Sequence, residues 1–145
     1  MTPMLAPNLA AYEPAILALG ILCLSVLIQG FLTAPLSFLN EEQTPGMPLQ
    51  GDHDLLSFRA QRAFSNSAET LPLVGFALGV ALYAGVTPAL VNWLTALHVL
   101  SRIAFAGIYY SGIGKVAGGP RTMAFVAAAL LNIALICAAL YSLLA

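Results

Sequence analysis

The sequence predicts an all-α integral membrane protein, a bundle of four transmembrane helices. Hydrophobic residues make up 60% of the 145-residue chain and charged residues only 8%, against roughly 25% charged in ordinary soluble domains. Mean hydropathy is +0.90. Apolar stretches that match the about 20 helical residues needed to cross a roughly 30 Å hydrocarbon layer recur four times. The length suits one domain, residues 1–145, and no internal period points to a repeat array.

The four stretches run Pro14–Leu39, Asp54–Ala84, Pro88–Ile113 and Pro120–Leu144. The first lacks the basic leader of a secretory signal, and its apolar run from Ala15 is too long for one, so it reads as a retained membrane helix. Asn40 to His53 holds Pro45, Gly46, Pro48, Gly51 and half of the acids, a composition that cannot continue a helix; His53 is expected to be exposed there. Pro14, Pro88 and Pro120 suit first-turn positions, Thr87 is a candidate cap for the third helix, and Gly85 and Gly112 or Gly114 are helix terminators. The turn between the second and third helices is short, which makes them antiparallel neighbours. Gly75-x-x-x-Gly79 and the alanines of the fourth helix either permit close helix approach or are simply tolerated small residues.

With a formal charge of -1 and scattered Lys and Arg, the chain has neither a basic stripe for nucleic acid nor a polybasic cluster for lipid headgroups. Cys23 and Cys137 lie alone in apolar runs and read as small buried hydrophobes. Arg59, Arg62, Arg102, Lys115 and Arg121 all lie in or nearer the first and third connections. The positive-inside rule places those connections in the cytoplasm and both termini opposite, with Tyr12, Tyr83 and Trp93 as an aromatic belt on the far side.

Polar residues inside apolar helices carry the functional information. Arg59, Arg62, Asn66 and Glu69 repeat at three and four, and share about 100° of one helical face. His98, Arg102 and Tyr109, spaced by four and seven, form a second stripe. Such stripes must face protein, water or a ligand. At about 1.5 Å per residue, Glu69 lies roughly 20 Å from its helix start and Arg102 roughly 16 Å from its helix end, so a buried Glu69–Arg102 ion pair is expected. That pair could fix helix register or line a ligand site. The excess of cations, Arg59, Arg62, Arg102 and Arg121 around a single intramembrane acid, favours an anionic ligand. Arg121 follows Gly119-Pro120 in the first turn of the fourth helix, where free N–H groups already attract negative charge; it could stabilise a thiolate or anchor the helix at the interface. Tyr109 could donate its phenol to a ligand or stack on it, or serve as an interfacial tyrosine. His98 reads as structural, since no second His or Cys stands at metal-ligand spacing.

The string Arg59-Ala-Gln-Arg62-Ala-Phe-Ser-Asn66-Ser-Ala-Glu69-Thr-Leu-Pro72 resembles the hallmark of the MAPEG family, the membrane-associated proteins in eicosanoid and glutathione metabolism. The likeness continues through Arg102, Tyr109 and Arg121. Members such as the microsomal glutathione transferases are homotrimers that bind glutathione between subunits on the cytosolic side. The resemblance therefore implies glutathione as co-substrate, held by Arg62, Asn66 and Glu69. Arg102 would support Glu69 or a glutathione carboxylate, Tyr109 would contact the ligand, and Arg121 would stabilise the thiolate. Arg59 and Thr122 are further candidates. Phe105 and Phe125 stand where some relatives are polar, and Glu41-Glu42 where some are basic.

The function expected from these readings is a membrane transferase, or peroxidase, that directs the glutathione thiolate to a lipophilic electrophile arriving from the bilayer. The alternative is a non-catalytic oligomeric membrane protein whose buried polar residues are structural. A transporter finds little support, because no pair of broken helices marks a midplane site.

Overall fold

The computed structural model describes residues 9–38, 47, 51–114 and 118–145. The expected Lys115 and the acidic pair Glu41-Glu42 lie outside them. A 3-10 turn, Leu9–Tyr12, leads into α1 (Glu13–Phe38), followed by α2 (Leu56–Tyr83), α3 (Pro88–Ser111) and α4 (Pro120–Leu144). Each helix begins or ends within two residues of its sequence expectation, because proline and glycine punctuate the same places. Pro88 and Pro120 occupy first-turn positions, where a missing N–H costs nothing.

The α2–α3 turn is closed by a Schellman arrangement: the Val86 N–H donates to the Ala81 carbonyl at 3.1 Å and the Gly85 N–H to that of Leu82 at 3.2 Å. This satisfies carbonyls that the end of α2 would otherwise orphan. Thr87 holds the position before α3, but its hydroxyl makes no cap bond. Its carbonyl accepts from the Leu90 and Val91 N–H groups instead. α3 ends at Gly112, whose φ of 68° is left-handed and whose missing Cβ makes room for the Arg59 guanidinium, 3.2 Å from where that atom would lie. A side chain there would be both strained and crowded.

Outward surfaces are apolar: Phe31, Phe38, Phe76 and Leu144 are all at least three-quarters exposed. That is the surface of a protein whose solvent is hydrocarbon. Leu9–Leu36, Pro88–Ser111 and Pro120–Leu144 are long and apolar enough to cross a membrane. α2 is as long, at 28 residues, but Arg59, Arg62 and Glu69 dilute its first half, so among the described residues there are four α-helices, of which three are strongly apolar.

Three buried clusters run along the bundle. Tyr12, Ala15, Leu78, Val91 and Leu135 pack beside the α2–α3 turn. Leu22, Val26, Val74 and Val99 fill the middle. Ala63, Phe105 and Tyr109 occupy the end where α2 starts. Tyr12 is 4% exposed and donates its hydroxyl to the Val86 carbonyl at 2.7 Å, so it is a structural staple and not a belt residue. Tyr83 and Trp93 do face outward. A Cβ added at Gly75 or Gly79 would meet nothing within 4 Å among the described residues; a tight approach is found between α1 and α2, where Gly30 meets the Phe64 ring.

Candidate functional site

The start of α2, the end of α3 and the start of α4 converge on an open cavity of about 190 Å³ lined by Arg62, Asn66, Phe105, Tyr109, Arg121, Thr122 and Phe125. Antiparallel packing of α2 and α3 produces this convergence, since the first turns of one then lie beside the last turns of the other. α4 contributes its N-terminus. Gly119 caps it without a side-chain bond, and Pro120 has no N–H, so the Arg121 and Thr122 amides remain at the positive end of the helix dipole.

The Arg121 guanidinium carbon stands 4.5 Å from the centre of the Tyr109 ring. Tyr109, 8% exposed, is in turn wedged edge-on against Phe105 at 5.2 Å. The Arg121 charge therefore lies over this aromatic wall. Arg62 is exposed at the rim.

Arg102 lies behind the cavity rather than in its wall. It is 2% exposed, and its Nη2 donates to Asn66 Oδ1 at 2.8 Å and to Ser67 Oγ at 3.4 Å. Ser67 passes its own hydroxyl hydrogen to Gln29 Oε1 at 3.2 Å, so one polar chain links α3, α2 and α1. The Phe105 ring lies 4.7 Å from the guanidinium carbon. Because Asn66 Oδ1 is taken, its Nδ2 is the donor that remains for a ligand.

The expected Glu69–Arg102 pair is not formed: Arg102 is turned to Asn66 and Ser67, and Glu69 is exposed on the outer face of α2. Arg59 also stands apart. Its Nη1 donates to the carbonyls of His53 at 2.7 Å and Asp54 at 2.8 Å, and its Nη2 reaches that of Tyr110 at 3.5 Å. It fastens the entry of α2 to the end of α3. Of the sequence candidates, then, Arg62, Asn66, Tyr109, Arg121 and Thr122 share the cavity; Arg102 positions Asn66; Arg59 and Glu69 do not line it.

The family profile of the MAPEG proteins matches residues 14–141. The chain belongs to the MAPEG family. No curated protein matches it individually. Membership makes the chain a membrane protein and gives the polar cavity a context, since the family is that of glutathione and eicosanoid metabolism.

In this MAPEG chain, sequence reasoning missed two residues. Gln29, 7% exposed in the apolar α1, could have been found as a lone amide inside a span. His53 left no sequence signal. It is half-buried, not exposed, with its ring 5.2 Å from Phe58 and 5.8 Å from Tyr109.

Proposed function

We propose that this MAPEG protein binds glutathione with its thiol beside Arg121 and transfers it to a lipophilic electrophile supplied by the bilayer. The observation that carries this reading is the meeting of Arg62, Asn66 and Arg121 at the α4 N-terminus around one open cavity. Glutathione is a flexible anion with two carboxylates, and a guanidinium at the rim and an amide donor suit them. A guanidinium at a helix N-terminus lowers the pKa of a thiol from its ordinary value of about 8.5. The thiolate sulfur then forms a bond to the electrophilic carbon, whose leaving group departs with its electron pair; a carbon acceptor without a leaving group takes up a proton instead.

Small-molecule sites commonly enclose about 300–1,000 Å³, so a cavity of about 190 Å³ is part of one. The exposed Arg62 and Glu69 point to completion by a neighbouring copy, in a homotrimer with glutathione between subunits. In this arrangement α2 is the fourth span, its charged half turned to the neighbour and the ligand. The first and third connections, with the cavity, face the cytoplasm, and both termini face the opposite side.

Isothermal titration of the purified oligomer with glutathione tests the reading, with Arg62→Ala and Arg121→Ala as controls. Binding lost in Arg62→Ala supports it; no binding to the wild type at millimolar ligand overturns it. A second reading, a non-catalytic oligomer, is favoured by the outward Glu69. It wins if Glu69→Ala and Arg62→Ala dissociate the oligomer while the wild type shows no thiol chemistry.

A further inference from the structure

Gln29 is an amide inside the apolar helix α1, and α1 contributes no residue to the wall of the cavity at the α4 N-terminus. A polar side chain in a span has to turn toward protein. Ser25, one turn earlier, does so by donating to the Leu22 carbonyl of its own helix at 2.8 Å. Gln29 instead crosses to α2 and meets Ser67, 38 residues on. Its neighbour Gly30 lets the two helices come close enough, since a Cβ there would stand 3.0 Å from the Phe64 ring.

The direction of each bond in this network is fixed by Arg102, because a guanidinium only donates. Its Nη2 gives to Asn66 Oδ1 at 2.8 Å and to Ser67 Oγ at 3.4 Å. Ser67 is thereby used as an acceptor, and its own hydrogen needs somewhere to go. Gln29 Oε1, 3.2 Å away, takes it. Gln29, Ser67 and Arg102 are all buried, so water does not compete for these bonds.

Without the Gln29 acceptor, the Ser67 hydroxyl would turn to a carbonyl of its own helix one turn back, as buried serines in helices do. Its oxygen would then swing away from Arg102, and Nη2 would be held by Asn66 alone. We propose that Gln29 is a positioning residue for the cavity at the α4 N-terminus: it sets the Ser67 hydroxyl, which holds the Arg102 guanidinium, which keeps the Asn66 amide turned with Nδ2 toward the ligand. The part that concerns ligand affinity rests on the glutathione reading. The relay itself does not.

The test uses the full chain in lipid nanodiscs and has two arms. Without glutathione, the side-chain amide signal of Asn66 is followed by nitrogen-proton NMR, identified by its loss in Asn66→Leu. Gln29→Met, which keeps the length but removes the acceptor, should shift that signal, and so should Ser67→Ala. Gln29→Glu, which retains an acceptor oxygen, should leave it near its wild-type place. With glutathione, Gln29→Met and Ser67→Ala should each weaken binding about three- to tenfold, the scale of one net hydrogen bond. The double variant should be no weaker than either single one, because both break the same relay. KM for glutathione should rise in step while kcat and the thiol titration, which depend on Arg121, stay unchanged. An Asn66 signal unmoved by Gln29→Met, losses that add in the double variant, or a fall in kcat at constant KM overturns the proposal. If the wild type binds no glutathione, the glutathione reading fails, and the Asn66 signal still decides the relay. Ser67→Ala keeps the test decisive if Gln29→Met does not fold.

Discussion

The two ends of the bundle use polar side chains in opposite ways. Beside the α2–α3 turn Tyr12, Asn92 and Ser142 are consumed within the protomer. Tyr12 bonds the Val86 carbonyl, Asn92 brackets the start of α1 through the Ala11 carbonyl and the Ala15 N–H, and Ser142 donates to the Ala84 carbonyl at 2.7 Å. These staples tie the N-terminal turn and α4 to one loop. At the other end, Arg62, Asn66 and Arg121 surround an open cavity, and capacity is left over. Helices in lipid gain little from apolar burial against each other, so hydrogen bonds and packing must fix their relative positions. The comparison teaches that a polar residue in a span is informative by what remains unspent after this structural work, and Arg59, which gives both of its Nη atoms to backbone carbonyls, shows that charge alone does not mark a site.

The largest effect should come from the open end. Arg121→Ala is expected to lower the rate of thiol transfer about a hundred- to a thousandfold, the usual consequence of removing one preorganised charge-stabilising group. A thiolate-absorbance titration of the glutathione complex gives the sign: with Arg121 the thiol ionises at lower pH, so activity persists further into the acid range and falls as pH drops through the lowered pKa. In Arg121→Ala that fall should move to higher pH. An unchanged profile would place the chemistry elsewhere and erase the contrast between the ends.

Next comes the residue that joins structure to site. Arg102→Met removes the donor that orients Asn66, and a hydrogen bond to a charged group is worth about 1.5–3 kcal/mol. Glutathione affinity should fall about tenfold or more. Stability should change little, because replacing a buried charge with an apolar side chain of similar length also removes its desolvation cost. Titration calorimetry and denaturant unfolding on the same variant separate the two.

Helix ends and the identity of the polar stripes were legible in the sequence because both are local. Proline and glycine set the ends, and Arg102 or Asn66 stands out in any apolar run. Rotation about the helix axis was not legible. Depth along the axis put Glu69 level with Arg102, but at about 100° per residue Glu69 lies some 110° around from the midpoint of Asn66 and Ser67, where the guanidinium arrives. Tyr12 escaped for a related reason. Its partner, the Val86 carbonyl, is 74 residues away, and only the packed bundle brings them together.

The smaller effects belong to the closed end. Tyr12→Phe leaves the buried Val86 carbonyl without its donor and should cost about 1–2 kcal/mol of stability, with glutathione binding untouched; loss of binding would mean that the two ends are coupled. Thr87→Ala should do least of all. A capping threonine is ordinarily worth about 1 kcal/mol, but here the hydroxyl makes no cap bond and the backbone carbonyl, which alanine retains, accepts from Leu90 and Val91. Unfolding of Thr87→Ala should therefore match the wild type within about 0.5 kcal/mol. A loss near 1 kcal/mol would mean that the hydroxyl caps α3 after all, adding Thr87 to the side-chain staples of this end.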